Sequence, residues 1–259
     1  MKKLLIIVLI VIAGVFAARD LSKKSFVLYY HNVDGYKSGL RSVYIQPFMF
    51  DLQMKYLKLR GYRTISFEEM IEALRQNVTP PKKTFVITFD DGYKNNFKRA
   101  LPILNKYGFT ATVFVAVNEI GKTLAHERTY PEARMSSKEI KEISKYWSIG
   151  SHTMNHKNVA SLRYQDLKYE LCESKKSLEK LTEKKVNMFC YPMGRFDDDV
   201  KNMAKKAGYI GACTTHSGLI IKRTDVYEIP RVEWKGVESF SFINYWDLKW
   251  FFLKIFLGV

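Results

Sequence analysis

Two adjacent carboxylates follow directly on an apolar run. Thr84-Phe85-Val86-Ile87-Thr88-Phe89 leads into Asp90-Asp91-Gly92. Two like charges this close raise the cost of ionising both, and a bound divalent cation removes that cost. Because neighbouring side chains on an extended chain diverge, one carboxylate can ligate the cation while the other faces the attacking water. An ordinary Asp-Asp-Gly turn is the plain alternative. A second element, Ser151-His152-Thr153-Met154-Asn155-His156, spaces two histidines at i and i+4. On a helical turn that spacing puts both imidazoles on one face, close enough to share a metal. Neutral imidazole suits zinc and related first-row metals. Two histidines and a carboxylate with open coordination positions form a hydrolytic set. A third element, Phe189-Cys190-Tyr191-Pro192-Met193-Gly194, ends a strand in a shaped turn. Such a turn either serves the chain's own geometry or presents N–H groups to an oxyanion, and spacing does not choose between the two.

These elements must be positioned by a scaffold, and the rest of the chain reads as alternating strands and helices. Strands are expected at Phe26–Tyr30, Thr84–Phe89, Thr112–Val115, before His152, at Asn187–Tyr191, at Tyr209–Thr214 and at Tyr227–Val232. Helices are expected from Pro47 to Gly61, after Ser66 with Glu69 at capping-box spacing, up to Gly108, after Ser136, over Tyr164–Leu181, and up to Gly208. A long loop from Asn118 to Met135 reads as a lid. Alternation of this kind implies parallel strands with helices outside. About seven strands in a single domain point to a closed or nearly closed α/β barrel, with chemistry at the C-terminal strand ends.

The chain has 259 residues, 47% of them hydrophobic, enough for one large core. Its net charge is +16, which favours anionic surroundings. The lysines are scattered in pairs such as Lys82-Lys83 and Lys205-Lys206, without an arginine-rich arm or a nucleic-acid module. Nucleic acid is therefore not an expected partner. Cys172, Cys190 and Cys213 have no CxxC spacing and read as small buried hydrophobes. Lys2-Lys3 precede an apolar run from Leu4 to Ala18. As a helix this run spans about 22 Å, short of the ~30 Å hydrocarbon core. Residues 1–18 therefore read as a signal peptide, or failing cleavage a signal anchor, and the body as exported. The barrel is expected over residues 25–240. The aromatic tail over 244–259, with Trp246, Trp250 and Phe256 among its residues, either packs on the barrel or lies in a membrane interface.

Together, Thr88-Phe89-Asp90-Asp91-Gly92, His152 to His156, and Phe189 to Gly194 resemble the polysaccharide deacetylase family (carbohydrate esterase family 4, the NodB homology domain). The resemblance covers about Ser25 to Trp234. Leu28-Tyr29-Tyr30-His31-Asn32-Val33 further resembles the branch that contains bacterial poly-N-acetylglucosamine deacetylases. It implies a distorted (β/α)7 barrel that acts on an N-acetylated polysaccharide. It also implies that Asp91, His152 and His156 hold a divalent metal, zinc first with cobalt, nickel or iron as other candidates. Asp90 would be the general base and the Met193 N–H an oxyanion donor. The family often carries an Arg where this chain has Cys190, and Arg231 is the residue able to replace it. Peptidoglycan-type late motifs are absent, which favours the Tyr-His branch. Cleaving an amide expels an amine that needs a proton, and histidine is the natural donor. With two of five histidines assigned to metal, His31 at a strand end is the first choice and matches the acid of that branch. His216, beside Ser217-Gly218, is second; His126, in the long polar loop, reads as a surface residue. An O-acetyl esterase acting on xylan or another polymer, or an inactive glycan-binding barrel, are the competing readings.

Overall fold

The computed structural model describes residues 25–124 and 131–234. The expected leader over 1–18, the aromatic tail over 244–259 and His126 lie outside the described residues. Among the described residues no helix is long and apolar enough to cross a membrane.

Thr-Phe-Val-Ile-Thr-Phe is β-branched and aromatic throughout, with no polar alternation. It forms strand β3 (Thr84–Phe89), in which every residue is buried, as a parallel strand covered on both faces requires. β1 (Phe26–Tyr30) lies parallel to it from Phe26 opposite Phe85 to Tyr30 opposite Phe89. The short β2 (Arg63–Thr64) pairs with the start of β3. On the other side follow β4 (Thr112–Val115), then β7 (Ser148–Ser151), β8 (Met188–Cys190) and β9 (Gly211–Cys213), all parallel. β5 (Thr123–Leu124) and β6 (Glu132–Ala133) form a separate antiparallel hairpin within the predicted lid.

The last strand differs from its sequence expectation. Instead of a continuous run over Tyr227–Val232, Ile229 makes one parallel bridge to Cys213. β10 (Val232–Glu233) then pairs with β1. Pro230 between them has no N–H to give a ladder, and the Arg231 N–H bonds the His216 carbonyl instead. The segment from Ile229 to Glu233 thus touches both edges of the parallel sheet, β9 and β1. The architecture is a single α/β domain, a distorted (β/α)7 barrel as expected.

The helices outside are α1 (Pro47–Leu59), α2 (Phe67–Arg75), α3 (Leu101–Tyr107), α4 (Ser137–Ile143), α5 (Tyr164–Lys168), α6 (Ser174–Thr182) and α7 (Asp198–Lys206). The capping boxes at Ser66/Glu69 and Ser136/Glu139 both form, which satisfies amides that a helix start leaves bare. Two π-turns interrupt otherwise helical stretches, Asn96–Ala100 before α3 and Tyr169–Glu173 between α5 and α6. The core between sheet and helices is strongly aromatic; Phe89 stacks on Trp147 at 5.1 Å.

Candidate active site

The ends of β1, β3, β7 and β8 open into one pocket of about 650 Å³. His31, Asp90, Asp91, His152, His156 and Met193 all line it. Three sequence elements far apart in the chain therefore meet at the C-terminal strand ends, where a parallel barrel is expected to carry its chemistry.

Asp90 continues β3 by one residue, its N–H bonding the Tyr30 carbonyl at 2.9 Å. Asp91 and Gly92 then turn sharply through left-handed conformations, at φ 68° and 62°. Such a backbone is strained for aspartate and swings the two carboxylates to different partners. Asp90 faces Arg231, which is fully buried and grips it with both arms, Nη1 to Oδ1 at 2.8 Å and Nη2 to Oδ2 at 2.7 Å. Arg231 is held in turn by the Thr214 carbonyl at 2.8 Å and the Thr88 hydroxyl at 3.1 Å. It also lies 4.6 Å over the Tyr29 ring. Its Nη2 lies 3.3 Å from Cys190 Sγ, so the guanidinium reaches Asp90 from just before β10, beside the cysteine. Burial is the largest influence on Asp90 and opposes its ionisation, but the Arg231 charge and hydrogen bonds, with His31 and His152 nearby, together outweigh it and hold the carboxyl below its ordinary value.

Asp91 faces the histidines. Its Oδ1 is 3.5 Å from His152 Nε2 and 3.3 Å from His156 Nε2. That oxygen is buried without a hydrogen-bond partner, a costly state for a carboxylate unless a cation completes it. His152 Nδ1 lies 2.8 Å from the Cys190 carbonyl. A carbonyl only accepts, so the proton sits on Nδ1 and the lone pair is on Nε2, turned toward Asp91. The two imidazole centroids are 4.8 Å apart. A carboxylate oxygen and two imidazole nitrogens at such spacing fit a divalent metal of the zinc type. A rival grouping of Asp90, His152 and Cys190 has ligand atoms equally close. There, however, both Asp90 oxygens are engaged by Arg231, and burial raises the Cys190 thiol well above its ordinary pKa.

The histidine segment is not the helical turn its spacing suggests. Thr153 and His156 have φ of 71° and 53°, so the chain reverses on itself after β7. A carboxylate holds that reversal. Glu170, buried at 2% exposure, accepts the Met154 and Asn155 N–H groups at 2.9 Å each and Asn155 Nδ2 at 2.7 Å. The Thr153 hydroxyl accepts the His156 N–H at 2.9 Å. The rings converge through this built loop rather than through helical periodicity. Sequence reasoning missed Glu170, though its signal was present: it falls one turn after Leu167 and beside Leu171, on the apolar face of the helix, where an unpartnered acid is not expected. Arg134 was missed too. It is 4% exposed, binds Glu119 at 2.8 Å and lies 3.9 Å over the Tyr93 ring that lines the pocket.

His31 sits just past β1, with Nε2 3.9 Å from Asp90 Oδ2. His216 is exposed and outside the pocket lining, its ring 5.9 Å from Phe196. Of the two proton-donor candidates only His31 shares the pocket with the carboxylates. Met193 adopts φ 58°. The turn is closed by the Gly194 N–H on Tyr191 and the Arg195 N–H on Pro192. Gly194 tolerates no side chain, since a Cβ would come within 1.9 Å of Thr215 Oγ1.

The family model of polysaccharide deacetylases matches residues 77–212. The chain is 33% identical to YxkH of Bacillus subtilis, whose name places it among the polysaccharide deacetylases, over 80% of this chain and 70% of that protein. It is 26% identical to the poly-beta-1,6-N-acetyl-D-glucosamine N-deacetylase of Staphylococcus aureus, over 80% and 73%. Among solved structures it resembles the Streptococcus pyogenes deacetylase PplD, at TM-score 0.73 and 27% identity, covering 84% of this chain and 96% of that one. A polysaccharide deacetylase of Bacillus cereus superposes at TM-score 0.70 and 32% identity, over 85% and 68%.

Proposed function

Since the chain belongs to the polysaccharide deacetylase family, a family of hydrolases, we propose that it removes N-acetyl groups from a poly-N-acetylglucosamine-like polymer and depends on a divalent metal. The observation that carries this reading is Asp91 Oδ1, buried without a donor and flanked by His152 and His156. The substrate class is supported by the relationship to the Staphylococcus aureus enzyme and by His31 at the end of β1.

Asp91, His152 and His156 would hold a divalent cation, zinc by the chemistry of the set, and that cation would supply polarisation of the amide carbonyl and acidification of the attacking water. The remaining steps belong to the chain itself. Asp90 Oδ2 takes the proton from the water as it attacks the acetyl carbon. Arg231 keeps that carboxylate ionised and aimed. The Met193 N–H is assigned to the oxyanion of the tetrahedral intermediate. His31 gives its proton to the sugar nitrogen as the C–N bond breaks, releasing acetate and a free amine. Arg231 is thus a positioning residue, and the Cys190–Arg231 pair takes over what a single arginine on the third motif does elsewhere in the family. The proposal includes export to the cell envelope, supported by Lys2-Lys3 and the apolar run behind them.

Acetate release from β-1,6-linked N-acetylglucosamine oligomers, chitooligosaccharides, peptidoglycan and acetylxylan tests the substrate class. The β-1,6-linked oligomers are expected to react fastest, and faster release from acetylxylan would identify an O-acetyl esterase instead. His31→Ala is expected to keep metal and to lose roughly 10²-fold or more on amides. Activated aryl acetates, whose leaving group needs no proton, should suffer far less. Equal loss on both substrates would remove His31 from the acid role.

A further inference from the structure

We infer that Asn95 and Asn96 are positioning residues for His31, so that the loop carrying Asp90 and Asp91 also fixes the backbone of the proton donor. The inference rests on His31 being that donor.

β1 ends at Tyr30, so the His31 carbonyl has left the sheet ladder and needs another partner. Asn96 supplies it: its side chain is fully buried and Nδ2 donates to the His31 carbonyl at 2.7 Å. Asn95 works on the next two residues. Its Oδ1 accepts the Val33 N–H at 3.1 Å, and its Nδ2 donates to Asn32 Oδ1. From the opposite side, Asn32 is bridged to the segment before α1, its N–H bonding the Val43 carbonyl and its carbonyl accepting the Ile45 N–H, each at 2.9 Å. The stretch from His31 to Val33 is therefore clamped between two loops.

The imidazole side chain is 21% exposed and meets Asp90 at 3.9 Å and the Tyr29 ring edge-on at 5.9 Å. Neither contact is as short as a hydrogen bond, so where the ring points depends also on where its backbone is held. Asn96 also has a bare buried oxygen, Oδ1. An apolar side chain would fill the same space without that cost, so the donor nitrogen explains the amide. Both π-turns share this logic, since Asn96 opens one and Glu170, which holds the histidine loop, sits in the other. π-Turns recur where a helix must re-aim a functional side chain.

The test compares amide and aryl acetate turnover in the full-length Asn96→Ala and Asn95→Ala proteins, with metal content and melting temperature measured alongside. Asn96→Ala is expected to lose about tenfold or more on a chitooligosaccharide amide, as small misplacement of a catalytic group does. On an aryl acetate it should stay within roughly twofold, with metal retained. Combined with His31→Ala it should add less than about twofold, because both changes remove one function. Equal losses on both substrates, or multiplied losses in the double variant, would overturn the inference while leaving His31 as the acid. If His31→Ala shows no amide selectivity, the underlying assignment fails instead. Should Asn96→Ala not fold, Asn95→Ala is read by the same criteria, and failure of both to fold would make the asparagines structural and overturn the inference.

Discussion

Asp90→Asn is expected to bind metal as the unaltered protein does and to lose on the order of 10² to 10⁴ in turnover. The substitution keeps shape and removes the proton acceptor. It also leaves Arg231, fully buried, without the carboxylate that both its arms grip. Removing one partner of a buried ion pair is typically worth 3–5 kcal/mol of stability, because the survivor is a buried charge. The melting temperature should therefore fall, and activity should be compared well below it. Metal content separates the two possible jobs of Asp90. Retained metal with lost turnover is the signature of the base. Metal falling in step with turnover would mean that Asp90 ligates, through the grouping with His152 and Cys190, and would reverse the roles of the two aspartates.

His152→Ala is expected to empty the metal site and leave less than about 1% of activity, since a site reduced to two ligands holds a cation poorly. Its ring is buried at 2% exposure, and Nδ1 is tied to Cys190, so the variant also opens a cavity. His156→Ala supplies the control: that side chain is 20% exposed, its removal costs the fold less, and the same loss of metal is expected. Elemental analysis of purified variants decides the matter. Full metal occupancy in either variant would remove that histidine from the ligand set.

The paired carboxylates and the histidine pair were legible because chemistry restricts metal-site candidates to a few residue types, while the division of the aspartates into ligand and base came from the family resemblance. Two aspartates at the end of a buried strand, a close histidine pair and a Tyr-Pro-x-Gly turn each stand out from the sequence alone. The barrel was legible for a similar reason. Its central strand is an unbroken apolar run, and capping boxes mark two helix starts. What spacing could not show was local backbone geometry. The i, i+4 histidines suggested a helical turn, yet Glu170 and the Thr153 hydroxyl hold a reversal there instead. A side chain 15 to 16 residues further along the chain, on another element, leaves no local pattern at the loop it shapes. Asn95 and Asn96 were hidden in the same way: nothing in their spacing points to the end of β1, where their side chains bond. The last strand failed over its length because Pro230 splits its pairing between two edges of the sheet. Arg231 was reached only through the family resemblance, as the arginine able to stand in where the family often carries one in place of Cys190, and it does grip Asp90.

Acetate release from β-1,6-linked N-acetylglucosamine oligomers is the decisive measurement, followed in one preparation before metal is stripped, after stripping to completion, and after zinc is restored. Release that disappears with the metal and returns with zinc is the predicted result; undiminished release from the fully stripped protein would contradict it.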